Sequence, residues 1–245
     1  QHTFTDDEGI WPLKKLPALH LQERDVYALS DDEMAVVQEL AEAFRQSIRL
    51  QRQVSFLYDR GRLYRRYNQN LLFHGCVPMT MDGVFREVEI EGVKRSGRDL
   101  MDVLDAIARR AYFEGDAKAV DFMWYLWCGP ASPLFGKARM TTFERYFIED
   151  ESTHGERKNA YYQLIETESA AQRILEGFGL DPERGHIING HVPVKVSRGE
   201  SPIRAGGRLL VIDGGLSRAY QSVTGIAGYT LIFSSHALLL VAHQP

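Results

Sequence analysis

The alternation of polar and apolar positions changes period along this chain. From Ser30-Asp31-Asp32-Glu33 onward, apolar residues recur at Met34, Val37, Leu40, Ala41, Phe44, Ile48, Val54 and Leu57, close to a helical repeat. Ser30 with Glu33 three residues on has the form of a capping box, which marks a helix start, and Tyr58-Asp59-Arg60-Gly61 marks its end. Residues 1–20 read as irregular. Asn70 to Phe73 reads as a buried strand, followed by the loop His74-Gly75-Cys76-Val77-Pro78-Met79-Thr80 and a short strand over 85–90. Helices are expected over 98–112, 119–127 and 143–147, with a loop over 129–136. A long helix is expected over 159–178, closed by Gly179 and Asp181-Pro182. Beyond it the apolar runs shorten to strands at 187–188, 208–212, 229–233 and 237–242, with Gly206-Gly207 and Gly214-Gly215 as turn signals. Residues 217–228, rich in hydroxyls and glycines, read as a long loop. The pattern as a whole is α/β, a helix-rich middle set between one strand and a compact β segment.

Composition narrows the function classes. A length of 245 residues allows one large domain or two small ones. The net charge of -4, with no basic block, argues against a nucleic-acid partner. No run approaches the roughly 18–20 apolar residues that span a bilayer, so no membrane partner is expected. Cys76 and Cys128 form neither a disulfide framework nor a metal knuckle, and a cytoplasmic location is the expectation. The chain opens on Gln1 and closes on an apolar strand, which reads as a piece of a longer polypeptide.

Two apolar runs end on a His beside a Gly: Asn70-Leu71-Leu72-Phe73-His74-Gly75 and His186-Ile187-Ile188-Asn189-Gly190-His191. A strand end is a rigid platform, the glycine admits a close approach, and imidazole is a common ligand for first-row metals. Either histidine alone is compatible with a structural role; the pair raises a shared metal site. His154 lies in a polar stretch near Lys137, Arg139, Arg145, Arg157 and Lys158, either a solvated capping segment or a cationic lid for a phosphate. Asp213-Gly214-Gly215 reads either as a tight turn or as a carboxylate with open amides at a site rim. The 217–228 segment, with Arg218, could bind a sugar phosphate or simply be a flexible connection. No dinucleotide or P-loop signature opens a helix, and Cys76 lacks a base that would make it a nucleophile.

These residues carry a family resemblance. Phe73-His74-Gly75-Cys76-Val77-Pro78 and Asn189-Gly190-His191-Val192-Pro193 resemble the two later histidine elements of the calcineurin-like metallophosphoesterases. Residues 137–147 and 213–231 resemble the bacterial class 3 fructose-1,6-bisphosphatases, and the likeness covers nearly the whole chain. It implies a partial metallophosphoesterase β-sandwich over 1–245 with a helical insertion over 95–185. It also implies hydrolysis of the 1-phosphate of fructose 1,6-bisphosphate in gluconeogenesis at a two-metal manganese centre. His74 and His191 would be metal ligands; Lys137, Arg145, His154, Lys158 and Arg218 would be substrate-binding. The superfamily's three earlier motifs, Asp-x-His, Gly-Asp-x-x-Asp-Arg-Gly and Gly-Asn-His-Asp/Glu, do not occur in these residues. The catalytic residues are therefore expected upstream of Gln1, in a missing N-terminal part that acts as partner, and the centre is incomplete in this chain. A homo-oligomer is left open. Two competing readings stand beside this one: another metallophosphoesterase such as a protein phosphatase, and a non-catalytic interaction domain using the aromatic helix with Phe122, Trp124, Tyr125 and Trp127.

Overall fold

A computed structural model of the chain describes residues 3–6, 8–14 and 28–244. In chain order the elements are β1 (Thr3–Asp6), β2 (Gly9–Pro12), α1 (Asp31–Gln46), α2 (Ile48–Arg60), β3 (Tyr64–Tyr67), β4 (Asn70–Phe73), β5 (Val88–Ile90) and β6 (Val93–Arg95). There follow α3 (Gly97–Glu114), α4 (Ala117–Cys128), α5 (Thr142–Phe147), α6 (Tyr161–Leu164) and α7 (Glu168–Gly177). The remainder is β7 (His186–Asn189), β8 (Ile203–Arg204), β9 (Leu209–Val211), α8 (Arg218–Thr224), β10 (Gly228–Phe233) and β11 (Leu238–His243). The chain divides into two compact units, Gln1–Arg62 with Thr141–Gly155, and Leu63–Met140 with Glu156–Pro245.

The second unit is built on a mixed sheet of order β3-β4-β7-β9-β8. Its middle strands β4, β7 and β9 run parallel, with Leu71 opposite Ile187 and Ile187 opposite Leu209. The edges β3 and β8 pair antiparallel. Alternation puts Leu71, Phe73, Ile187, Leu209 and Val211 on one face, where they pack with Ala171, Ile174, Leu175 and Phe178. Each such buried aliphatic side chain contributes roughly 1.5–3 kcal/mol. The α3–α4 pair closes a second cluster around Ile90, Leu100, Leu104, Ile107 and Leu126. In the first unit β1 and β2 form a hairpin, the Phe4 ring meets Phe143 at 4.9 Å, and Lys14 N–H donates to the Phe147 carbonyl. The capping box of α1 forms as its sequence predicts, with Ser30 accepting from Glu33 N–H.

Four sequence expectations are corrected. The helix begun at Ser30 breaks at Ser47, whose hydroxyl caps α2 by accepting from Leu50 N–H, and neither α1 nor α2 buries a residue within the described chain. The 159–178 helix is two, because the Thr167 side chain caps α7 by accepting from Ala170 N–H, a bond in which hydroxyls compete with helical pairing. Residues 217–228 contain α8, closed by Gly225 at φ 72°. The described residues of 3–12 form a hairpin rather than an irregular segment, its turn held by Asp6, which accepts from the N–H groups of Glu8 and Gly9 and from Trp11 Nε1; residues 15–20 lie outside the description. The expected α/β class is observed.

Ile187 has 0% of its surface exposed, against 75% for Leu216. Ile187→Ala is expected to lower stability by about 2–5 kcal/mol and Leu216→Ala by no more than about 0.5 kcal/mol, read from urea unfolding midpoints at unchanged slope.

Candidate functional site

Three parallel strands deliver three side chains to one edge of the sheet. His74 follows β4, Gly190 and His191 follow β7, and Asp213 lies two residues past β9. The carboxyl ends of neighbouring parallel strands are a recurrent ligand position in open α/β sheets. The His74 and His191 ring centroids are 5.3 Å apart at 87°. Gly190 lies between: a Cβ there would meet His74 Nδ1 at 3.1 Å and Asp213 Oδ2 at 3.4 Å. Its N–H donates to the His74 carbonyl at 3.1 Å, and Val194 N–H donates to the Asp213 carbonyl at 3.2 Å, tying the three tips together.

The His74 segment is fixed from behind by the 129–136 loop. Cys76 N–H donates to the Pro133 carbonyl at 2.9 Å, and a Cβ at Gly75 would stand 2.0 Å from that oxygen, so only glycine fits. Ser132 Oγ donates to the Leu126 carbonyl and accepts from the N–H groups of Leu134 and Phe135. Met79 N–H and Tyr161 N–H both donate to Asn159 Oδ1, joining the loop after His74 to the start of α6.

His191 adopts φ 67°, the left-handed region that non-glycine residues seldom occupy. Val192 N–H donates to the Gly190 carbonyl across it at 2.8 Å, making a tight three-residue turn. The ring is half-buried while His74 is exposed. Burial, followed by the neighbouring His74, pushes the His191 imidazole below its ordinary value; a hydrogen bond to the Phe135 backbone works the other way. A neutral ring keeps a lone pair for a metal. Burial also pushes the Cys76 thiol up to about 12, which makes it inert as a nucleophile.

The remaining sequence-predicted residues are divided between the two units. Lys137 acts electrostatically on His191, donates to Glu156 Oε2 and stands 5.6 Å from the Phe135 ring centroid. It pairs through the backbone with Lys158, whose ammonium lies 5.5 Å from the Tyr162 ring centroid. Arg218 opens α8 and is exposed. Arg145 and His154 belong to the first unit, where Arg145 donates to the His154 carbonyl and to Thr141 Oγ1, and His154 Nε2 lies 3.1 Å from the Ile148 carbonyl oxygen. The two imidazoles stand at adjacent strand tips with the Asp213 side chain beside Gly190. Among the described residues no group of three or more His, Cys, Asp or Glu side chains is placed to hold a metal ion.

Sequence reasoning did not single out Asn189. It is 5% exposed, and its Nδ2 donates to Tyr161 Oη at 2.6 Å. The available signal was period two: a polar residue stands at 189 on the core-facing side that Ile187 also occupies.

The sequence model of the Firmicute fructose-1,6-bisphosphatase family matches residues 1–245. A fructose-1,6-bisphosphatase class 3 of Clostridium novyi (strain NT) is 53% identical over 227 residues, covering 91% of this chain and 34% of the relative. One from Clostridium botulinum (strain Kyoto / Type A2) is 51% identical over 248 aligned residues, covering 99% of this chain and 37% of the relative. The chain thus spans about a third of the length of the curated relatives it matches. No solved structure matches it.

Two outcomes are expected of this geometry. Gly75→Ala displaces the His74 segment and costs about 1–3 kcal/mol in chemical unfolding. In the metal-free chain the unfolded state binds the His191 proton more tightly than the folded state does. The stability this ring contributes is therefore present above about pH 6.5 and lost as pH falls toward the folded value. His191→Gln flattens that part of the stability–pH curve, and an imidazole NMR titration gives a His191 midpoint below about 6.5.

Proposed function

The chain belongs to the Firmicute fructose-1,6-bisphosphatase family, and from that premise we propose that it supplies His74 and His191 to a dinuclear metal centre that removes the 1-phosphate of fructose 1,6-bisphosphate in gluconeogenesis. The observation that carries this reading is the meeting of the two imidazoles, 117 residues apart in sequence (191 − 74), with centroids 5.3 Å apart at neighbouring strand tips. The mixed sheet would be one layer of a metallophosphoesterase sandwich. The bridging carboxylate and the remaining ligands would come from the part of the relatives' length that this chain does not span.

Manganese suits an open site of nitrogen and oxygen donors, and when bound would polarise the phosphoryl oxygens and lower the pKa of a water. The chain's own residues do the rest. Burial keeps the His191 ring neutral near neutral pH, so no proton has to leave it before ligation. The hydrogen bond from Gly190 to the His74 carbonyl fixes the distance between the two tips. Lys137, which acts on His191 and is paired with Glu156, would be one cation offered to the phosphoryl group. Arg218 is the further cation offered to the sugar bisphosphate.

A second reading rests on α4, where Trp124 and Trp127 are 67% and 58% exposed and meet edge to face with centroids 5.0 Å apart. In that reading the aromatic face serves a non-catalytic contact.

The test is turnover by the polypeptide extended to the relatives' full length. Fructose 1,6-bisphosphate is expected to be hydrolysed with manganese, and a phosphopeptide is not. His74→Ala and His191→Ala each lower kcat/KM by more than about 100-fold. Turnover of the phosphopeptide alone indicates a protein phosphatase, and a full-length protein that is silent on both favours the contact role. In the 245-residue chain, calorimetric titration with manganese is expected to show no stoichiometric sub-micromolar binding of two ions.

A further inference from the structure

The apolar stripe of α1 stands open to solvent among the described residues. Met34, Val37, Leu40, Ala41 and Phe44 recur at helical spacing on one side of the helix, with Glu39 and Glu42 on the opposite side. No residue of α1 is buried, and Leu40 and Phe44 are 57% and 65% exposed. A helix of 16 residues is marginal in water by itself and draws most of its stability from packing such a face. The stripe therefore asks for a covering surface. α2 is not that surface. The two helices are joined by Ser47 alone, whereas antiparallel helix pairs are connected by loops of roughly two to five residues, so α1 does not turn back onto α2.

Charge along the same stretch says what covers it. Asp31, Asp32 and Glu33 fill the first turn of α1. Arg45 stands in its last turn, followed by Arg49 and Arg52 at the start of α2. All six are exposed. The stretch is thus acidic at one end, apolar in the middle and basic at the other. Such a surface is complementary to itself turned end for end. That is the requirement of a two-fold interface, in which one patch meets its own copy. A parallel pairing would set acids on acids and arginines on arginines, which repulsion disfavours. An antiparallel pairing also opposes the two helix dipoles.

We propose that the chain pairs with a second copy of itself through α1, antiparallel about a two-fold axis, stripe on stripe and acidic end on basic end. The register that sets Met34 opposite the second copy's Phe44 also sets Val37 opposite its Ala41 and Glu33 opposite its Arg45. Large side chains then face small ones at the centre of the seam, and unlike charges close both ends. Glu39 and Glu42 stay in water on the outer side. The proposal does not rest on the metal reading, since no imidazole takes part.

The test is sedimentation equilibrium of the 245-residue chain over a range of concentrations, with circular dichroism to follow the helices. A reversible species of twice the 27.9 kDa chain mass is expected. Leu40→Gln, at an exposed position, weakens self-association by about tenfold or more. The charges are then reversed in two separate chains, Asp31→Lys with Asp32→Lys in one and Arg45→Glu with Arg49→Glu in the other. Each chain alone self-associates about tenfold more weakly than the parent, because like charges now meet at both ends of the seam. Mixed in equal amounts, the two form a 1:1 dimer within about threefold of the parent affinity. Should a reversed chain lose helix, the parent and Leu40→Gln still decide. A parent chain that stays monomeric to about 1 mM would overturn the proposal and leave the stripe to another part of the longer polypeptide. So would unchanged association in Leu40→Gln, which places the interface elsewhere, or two folded reversed chains that fail to pair when mixed.

Discussion

The parallel register of β4, β7 and β9 is the constraint on which the site depends. Leu71, Ile187 and Leu209 stand in one row across the three strands, and their side chains enter the same core. A slip of one residue in β7 would turn Ile187 and Asn189 outward and carry Gly190 to the wrong face, because the side-chain period is two. Burial therefore holds the register, and the register decides where the tips of the strands fall. The meeting of His74 with His191 follows from a packing requirement several ångströms away.

That arrangement stores strain at its tip. His191 is held at φ 67° with its ring half-buried, a conformation that costs free energy and persists only where the surroundings over-determine it. Here they do so through backbone bonds. Val192 N–H closes the turn on the Gly190 carbonyl, Gly190 N–H reaches the His74 carbonyl, and Ile212 N–H reaches the Asn189 carbonyl. The last two anchor the histidine-bearing strand end to its neighbours, and the ring adds its own hydrogen bond to the Phe135 backbone. Strain of this kind clusters where a side chain has work beyond packing.

The tip also divides the local chemistry in two. On one side stand the His74 and His191 rings with the Asp213 side chain. On the other stands the buried Asn189 side chain, bonded to Tyr161 Oη. A single dipeptide, Asn189-Gly190, serves both sides, since one residue has a side chain to present and the next has none to obstruct. Replacing that glycine with any larger residue would press on His74 and Asp213 together.

Much of this was legible in the sequence. The strands Asn70–Phe73 and His186–Asn189 follow from short apolar runs bounded by glycine and polar turns, and the histidines at their ends were visible as candidates. The start of α1 followed from Ser30 and Glu33, because a capping box is local chemistry completed within four residues. Breaks governed by a single side-chain bond, as at Ser47 and Thr167, escaped the periodicity, which averages over a window and does not see one hydroxyl choosing a backbone partner. The helix at Arg218–Thr224 was hidden because most of its residues are exposed and leave no apolar stripe to read. The chain by itself determined which histidines end apolar runs and which of those runs are strands. Only the tertiary structure decided that His74, His191 and Asp213 share one edge, and that Asn189 turns away from them, because strand adjacency and register are set by long-range burial that no local window contains.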